Sequence, residues 1–519
     1  ELGSVYESLL DEQPSLAANG DGRPHFGLAS GGERKSTGSY YTPSVLVQEL
    51  IRSALDPVIQ QALASAPDIE GKRNALLDLA VCDPACGSGH FLLAAARRIG
   101  RELARLASGE HEPDPGVLRH HIREAITHCV YGVDLNPLAV DLCRLALWLE
   151  GHEPGRPLGF LDHRIKLGNS LVGATTELIE KGIPTEAFEP VEGDSKDIAK
   201  VIKKQNRQEL EKPQLRLFES TGLEPAGPTP AEAKEARTIA DFVEDAPDDV
   251  LLKEEEHAEF EARLARKKRA AAPRVAAFFW PLQDGAPPPP TQSTLLHHRA
   301  SREQELGAAF ERQLQRVVDE VRPFHWELEF PDVFARKGGF DCMLGNPPWE
   351  KFEPKEQEFF EAHAPEIAAL AGDRRKRAIA ALEGDARALF QRWRRYQNGI
   401  QRTVTFLKSS ERFPLGASGR INLYAVFAEV LANLVARSGF SGILCPTGIA
   451  TDDSTKALFG ELAGGRIVSL YDFENSQGLF EGVHRSSHSA GHQARLPPRT
   501  SRSSRHLSIT FANRSGTSP

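Results

Sequence analysis

The 519 residues allow two or three domains, and 40% apolar with 26% charged residues is the balance of a globular protein rather than a disordered one. A net charge of -9 excludes an overall basic coat for nucleic acid, although an enzyme acting on DNA can confine its basic residues to one cleft. Six scattered cysteines (Cys82, Cys86, Cys129, Cys143, Cys342, Cys445) form no disulfide framework and no zinc-ligand spacing, so reduced thiols, a cytoplasmic setting and no metal are expected.

No apolar run reaches the roughly 18 to 20 residues of a membrane helix, so no membrane partner is expected. No signal peptide is legible. The chain starts at Glu1 and Met343 is its only methionine, as in a fragment or a processed end.

Residues 1–35 read as an N-terminal remnant. From 36 to 174 the pattern alternates helix and strand. Ser44 to Ile59 is an amphipathic helix, opened by a hydroxyl cap at Thr42 and a proline at Pro43. "LAVCDPACGSGHFLLAAARRIG" reads as strand, glycine turn, helix, and "HCVYGVDLNPLAVDLCRLALWLEG" repeats that form. Such units predict a parallel sheet covered by helices. Residues 175–322 read as a helical insertion, with "EPAGPTPAEA" and "DGAPPPPTQS" as linkers. The sheet pattern resumes over 323–486.

The stretch 487–519 has no acidic residue and no hydrophobic period. It reads as the product of a reading-frame change after "FEGVHRS", outside the native fold. A basic nucleic-acid tail and simple disorder are the other readings.

Asp83 ends a strand, and Gly87 and Gly89 stand in the turn that follows, where a backbone can approach a ligand. The next strand ends in Asp134, whose carboxylate suits the two hydroxyls of a ribose. A nicotinamide fingerprint needs G-x-G-x-x-G with its acid about 20 residues on. Here Asp134 lies roughly 45 residues after Gly89, and no Gly-Lys-Ser/Thr loop is present. A turn led by an acid repels pyrophosphate and suits an ammonium. S-adenosylmethionine, with an ammonium, a ribose and no phosphate, fits best.

"GNPPWEKF" carries the second chemistry. Asn346 at a strand end, followed by Pro347 and Pro348, aims its amide oxygen and the Pro347 carbonyl at one point. Two acceptors can grip an exocyclic amine of a base, and Trp349 offers a face to stack it on, worth about 1 to 3 kcal/mol.

The order "TGSYYTP", "DPACGSGHF", "YGVDLNPLAVDL", "GNSLVG", "GNPPW" resembles the N6-adenine DNA methyltransferases, most of all the large methylases of type IIG restriction–modification and of BREX- or DISARM-like phage defence. The resemblance implies a class I, Rossmann-like α/β methyltransferase sheet with a helical insertion, missing its last strands. It implies transfer of a methyl group from S-adenosylmethionine to the N6 amine of a flipped adenine in double-stranded DNA, beside nuclease or defence-system subunits. It places Tyr41, Thr42 and Pro43 at the cofactor's methionine end, Asp83, Ala85, Gly87 and Gly89 in the cofactor loop and Asp134 on the ribose. Asn169 would read the cofactor's adenine amine, where relatives often carry Asp. Asn346, Pro347, Pro348 and Trp349 would hold the target amine. No recognition domain and no nuclease motif is legible. An RNA or protein-glutamine methyltransferase, and an inactive DNA-binding remnant, are the alternatives.

Three basic runs and one group of histidines complete the reading. "RRKR" (Arg374 to Arg377) and "RWRRY" (Arg392 to Tyr396) fit a DNA cleft or a solvated helix face equally. "RKKR" (Arg266 to Arg269) reads as surface balanced by Glu254 to Glu256, and His120, His121 and His128 as structural.

Overall fold

The computed structural model describes residues 12–18, 24–30, 42–211, 223–474 and 505–512, with backbone alone at 12–18, 24–30, 474 and 505–507. Strands β1 (Glu12–Ala18) and β2 (Pro24–Ser30) form a separate antiparallel pair. Helix α1 runs over Ser44–Leu50, through a π-turn at Ile51–Leu55, into Asp56–Ala64. Its N-cap is Pro43, without a side-chain cap, so the hydroxyl cap expected of Thr42 is not made.

The repeating units appear next. β3 (Val81–Asp83) leads into α2 (His90–Ser108) and α3 (Pro115–Cys129); β4 (Val130–Asp134) leads into α4 (Pro137–Glu150) and β5 (Ile165–Leu167). After a helical stretch come β6 (Phe340–Gly345), β7 (Val435–Pro446), β8 (Ile467–Glu474) and β9 (Arg505–Ala512). One sheet takes the order β5-β4-β3-β6-β7-β9-β8. The strands from β5 to β7 pair in parallel, and β9 runs antiparallel between β7 and β8. Chain order reverses between β3 and β6. In open sheets of this kind, the crevice beyond the strand ends at that reversal collects ligands.

The inner strands are buried on both faces, as helices on each side require. Val81, Leu92, Ile99, Ile165 and Leu344 share one core with α1, while Val133, Met343, Phe340, Phe324 and Ile443 belong to the other. An irregular register between Phe340 and Cys342 lets Phe340 and Met343 reach the same core despite their odd spacing.

Two expectations are corrected here. The sheet does not lack its last strands. β8 is present, and β9 comes from the stretch read as an aberrant tail. Ser508, Ile509, Thr510 and Phe511 are all fully buried, as an interior strand demands, and the Thr510 hydroxyl donates to Ser53 at 2.8 Å. β-branched and aromatic residues at 507–511 made a strand possible where composition suggested none. The remainder of 487–519 lies outside the described residues.

The second correction concerns "DGAPPPPTQS". Pro289, Pro290 and Thr291 are buried, and the Trp280 indole donates to the Pro287 carbonyl at 2.9 Å. A proline run has fixed φ and free carbonyls, so it packs with little entropy loss. The long helix α5 (Pro247–Phe279) ends in Phe278 and Phe279, which join the core of Val133 and Met343. A further helical group, α6 (Glu356–His363), α7 (Asp373–Asp385) and α8 (Arg387–Ser409), closes over its own small core of Phe360, Ile379, Leu382 and Trp393. Helix α9 (Leu423–Leu434) returns the chain to the sheet.

Candidate active site

The turn after β3 needs its glycines for different reasons. Gly87 and Gly89 have φ of 52° and 85°, which other residues adopt only under strain. A Cβ at Gly89 would meet Cys143 Sγ of α4 at 2.7 Å, so the turn can close on the helix only without a side chain. Gly87 has nothing within 4 Å of where a Cβ would stand and faces open space.

The Gly87 N–H donates to Asp134 Oδ2 at 2.9 Å, and the Asn136 N–H to Asp134 Oδ1 at 2.9 Å. The two oxygens together offer four lone pairs, which leaves room for a further donor. Asp83 is buried and accepts from the Ala85 N–H at 3.0 Å. Burial pushes its pKa up to about 7, against the lowering effect of the Ala85 N–H. Burial also raises Asp134, its three backbone donors opposing. Two desolvated carboxylates beside an open turn favour a cationic, hydroxyl-bearing ligand.

β6 runs beside β3, and its last residue, Gly345, would place a Cβ 3.3 Å from Asp83 Oδ1. Asn346 follows immediately. Its Nδ2 donates to Thr42 Oγ1 at 3.0 Å, while its Oδ1 is buried without a partner among the described residues. An unpaired buried carbonyl oxygen costs roughly 1 to 3 kcal/mol, which a bound donor would recover. Pro347 is buried and Pro348 half-buried. Trp349 is half-buried between the two cores, its Nε1 donating to the Leu444 carbonyl at 3.3 Å. The indole therefore has a core to fill.

A cleft of about 680 Å3 runs beside these parts, reaching Asp134 and Pro348 but not lined by Asp83, Gly87, Asn346 or Trp349. Pro84, Ala85, Asp134, Asn169 and Pro348 line it together with Leu135, Phe352, Leu423 and Phe427. Through Glu350, Phe352 and Leu423 it borders a second cavity of about 640 Å3, lined by Lys351, Phe359, His363, Arg392 and Tyr396. Asn169 reaches the cleft, but its Oδ1 already accepts from the Leu171 and Val172 N–H groups at 3.2 and 3.3 Å. Pro43 opens α1, and Tyr41 lies outside the described residues.

Several lining residues are not among those singled out in the sequence. Leu135 is 50% exposed directly after Asp134, an apolar face that a flat ring can cover. Leu423 and Phe427 come from a segment whose periodicity signals a helix, and Phe352 closes the "GNPPWEKF" stretch without a role given to it there. Ser170 ties the "GNSL" turn to the glycine turn by donating to the Pro84 carbonyl.

The basic runs divide. Arg375 donates to the Leu370 and Ala368 carbonyls, and Arg394 pairs with Glu192. Arg392 reaches the second cavity. "RKKR" is not balanced by Glu254 to Glu256. Arg266 pairs with Glu224, Lys267 with Glu232 and Lys268 with Glu261 and Glu329, and Lys267 is buried. His120, His121 and Glu124 approach one another closely enough to hold an ion, but His121 pairs with Glu124 within the group, while His120 also pairs with Glu153 and Glu124 with Arg73.

Two family models match this chain: N-6 DNA Methylase over residues 28–176 and Eco57I restriction-modification methylase over 128–371. Together they take in the glycine turn, Asp134 and "NPPW". The chain is similar to the N6-adenine DNA methylases over residues 28–371.

Among curated relatives, this chain is 22% identical over 403 residues to a putative type II restriction enzyme and methyltransferase of Methanocaldococcus jannaschii, covering 69% of this chain and 30% of that one. It is 32% identical over 114 residues to the adenine-specific methyltransferase PglX of Streptomyces coelicolor, covering 22% and 8%. The chain thus spans less than a third of the length of either. A nuclease-deletion mutant of the Type ISP restriction-modification enzyme LlaGI, solved with a DNA substrate mimic, aligns at a TM-score of 0.33 and 11% identity over 92% of this chain and 23% of that one, too low a score to compare folds. Among the described residues no helix is long and apolar enough to cross a membrane.

Proposed function

We propose that the chain transfers the methyl group of S-adenosylmethionine to the N6 amine of adenine in DNA, within a restriction–modification or phage-defence system. The observation that carries this reading is the buried, unpartnered Asn346 Oδ1 at the end of β6, next to the strand that ends in Asp83. It is an acceptor awaiting a donor, which an exocyclic amine supplies.

The residues present fit the cofactor. Desolvated Asp83 and Asp134 suit its ammonium and ribose hydroxyls, Gly87 leaves room for it, and the exposed Leu135 suits a flat ring. Asn169 serves the cofactor's adenine amine less well, because its oxygen accepts within its own turn, while its amide N–H groups can donate only to an acceptor such as an adenine ring nitrogen. When bound, the cofactor supplies an electrophilic methyl group on sulfur.

Asn346 Oδ1 and the Pro347 carbonyl accept the two amine hydrogens and fix the nitrogen in line with the methyl group. As positive charge develops on that nitrogen, the same oxygens stabilise it without reorganising. No charged base is needed during the transfer: the nitrogen takes the methyl group from the sulfonium, which leaves a neutral thioether, and the cationic nitrogen then loses one proton to solvent. Pro348 and Phe352 limit the room around the base, and Trp349 holds the motif to β7 through Leu444. On this reading 36–174 is the cofactor half and 323–486 the catalytic half, joined by the helical insertion 175–322. The second cavity, with Arg392 and Tyr396, continues the cleft toward a DNA strand.

Incubation with labelled cofactor and unmethylated DNA, RNA or protein, followed by nucleoside and amino-acid analysis, tests the proposal. Label in N6-methyladenine from DNA is expected. Label in RNA or in glutamine alone would replace this reading with another acceptor.

A further inference from the structure

Thr42 and Asn346 are 304 positions apart in sequence and meet through one hydrogen bond. Thr42 is buried and stands immediately before α1. That helix is seated on the sheet by close packing: a Cβ added at Gly442 of β7 would lie 3.0 Å from Ala54 and 3.3 Å from Leu50. The Thr42 hydroxyl is thus held against the end of β6 by a rigid support.

The consequence follows from the chemistry of a primary amide. Its plane can be occupied in two orientations that exchange the oxygen and the NH2 group, with little steric difference between them. Only one orientation offers an acceptor to an incoming amine; the other sets two donors against each other. With Nδ2 on Thr42 Oγ1, Asn346 Oδ1 is the atom left open.

We propose that Thr42 is a positioning residue, one that anchors the Asn346 side chain at the end of β6 through its Nδ2 and leaves Oδ1 for the target amine. This rests on the reading that Asn346 Oδ1 grips that amine. It differs from a place for Thr42 in the cofactor's binding surface, because the hydroxyl then acts on turnover and not on cofactor affinity.

The test compares Thr42→Val, which keeps the shape and removes the hydroxyl, with Thr42→Ser, which restores it. Thr42→Val should lower kcat about tenfold, with cofactor Kd and KM for DNA changed by less than about twofold, and Thr42→Ser should recover most of the rate. A weakened cofactor Kd with kcat intact would overturn the proposal, as would a serine variant no better than valine. A melting-temperature cycle with Thr42→Val, Asn346→Ala and the double variant needs no activity. Once Asn346 is gone, losing the hydroxyl should cost little more. Additive losses would disprove the latch. Transfer of no methyl group to DNA by the parent chain would instead overturn the functional reading, and with it the latch's purpose, while the cycle still decides whether the contact exists.

Discussion

The backbone N–H of Gly87 donates to Asp134 Oδ2 at 2.9 Å, joining the turn after β3 to the end of β4. The bond makes one carboxylate both a brace for the glycine turn and a candidate ribose acceptor. Substituting it should therefore do two things at once.

Asp134→Ala is expected to weaken S-adenosylmethionine binding by about 10- to 100-fold, the scale of losing hydrogen bonds to a charged group. Asp134→Asn keeps an acceptor for Gly87 and should fall between. Isothermal titration decides it, and an unchanged affinity in Asp134→Ala would remove this residue from the site.

The elevated Asp83 pKa makes a stability prediction. Its folded value of about 7 lies above the ordinary 3.8, so the folded state holds the proton more tightly than the unfolded one. Stability from this group is full below about pH 4, falls as pH rises to 7 and stays lost above it, by on the order of 4 kcal/mol without ligand. Asp83→Asn should melt higher than the parent at pH 8, equal it near pH 4, and bind cofactor less well. The same pH dependence in both proteins would show that Asp83 is not the titrating group.

Strand β9 predicts a cost for truncation. Phe511 is fully buried between β7 and β8, with the Arg466 guanidinium 5.9 Å from its ring. Phe511→Ala should lower unfolding free energy by about 3 to 5 kcal/mol in urea titrations. Deletion from residue 505 should cost more, because two strand edges lose their partner. A truncated chain as stable as the full one would return 505–512 to the status of a dispensable tail.

These outcomes also mark what the sequence could say. Asp83, Gly87, Gly89, Asp134 and Asn346 could be singled out because the chemistry restricts residue type: glycine takes the turn's positive φ with least strain, and an acceptor serves a ribose or an amine. Contacts between distant segments were not. Thr42 looked like a helix cap, and nothing local says that its hydroxyl meets Asn346. Ser170 looked like part of a turn, yet it binds the Pro84 carbonyl 86 positions away. β9 was misread because Ser508 and Thr510 count as polar in any hydropathy pattern, although both are buried in an interior strand. The proline run was misread in the same way, since composition cannot show that Pro289 and Pro290 have a surface to pack on.

The claim that Asn346 carries the transfer step is tested most directly by Asn346→Ala. Single-turnover methylation of adenine should fall by about 100-fold or more, the cost of losing a preorganised hydrogen-bonding group, while cofactor affinity stays at the parent value. Asn346→Ala methylating adenine at the parent rate, with cofactor bound equally well, would contradict the role assigned to the oxygen at the end of β6.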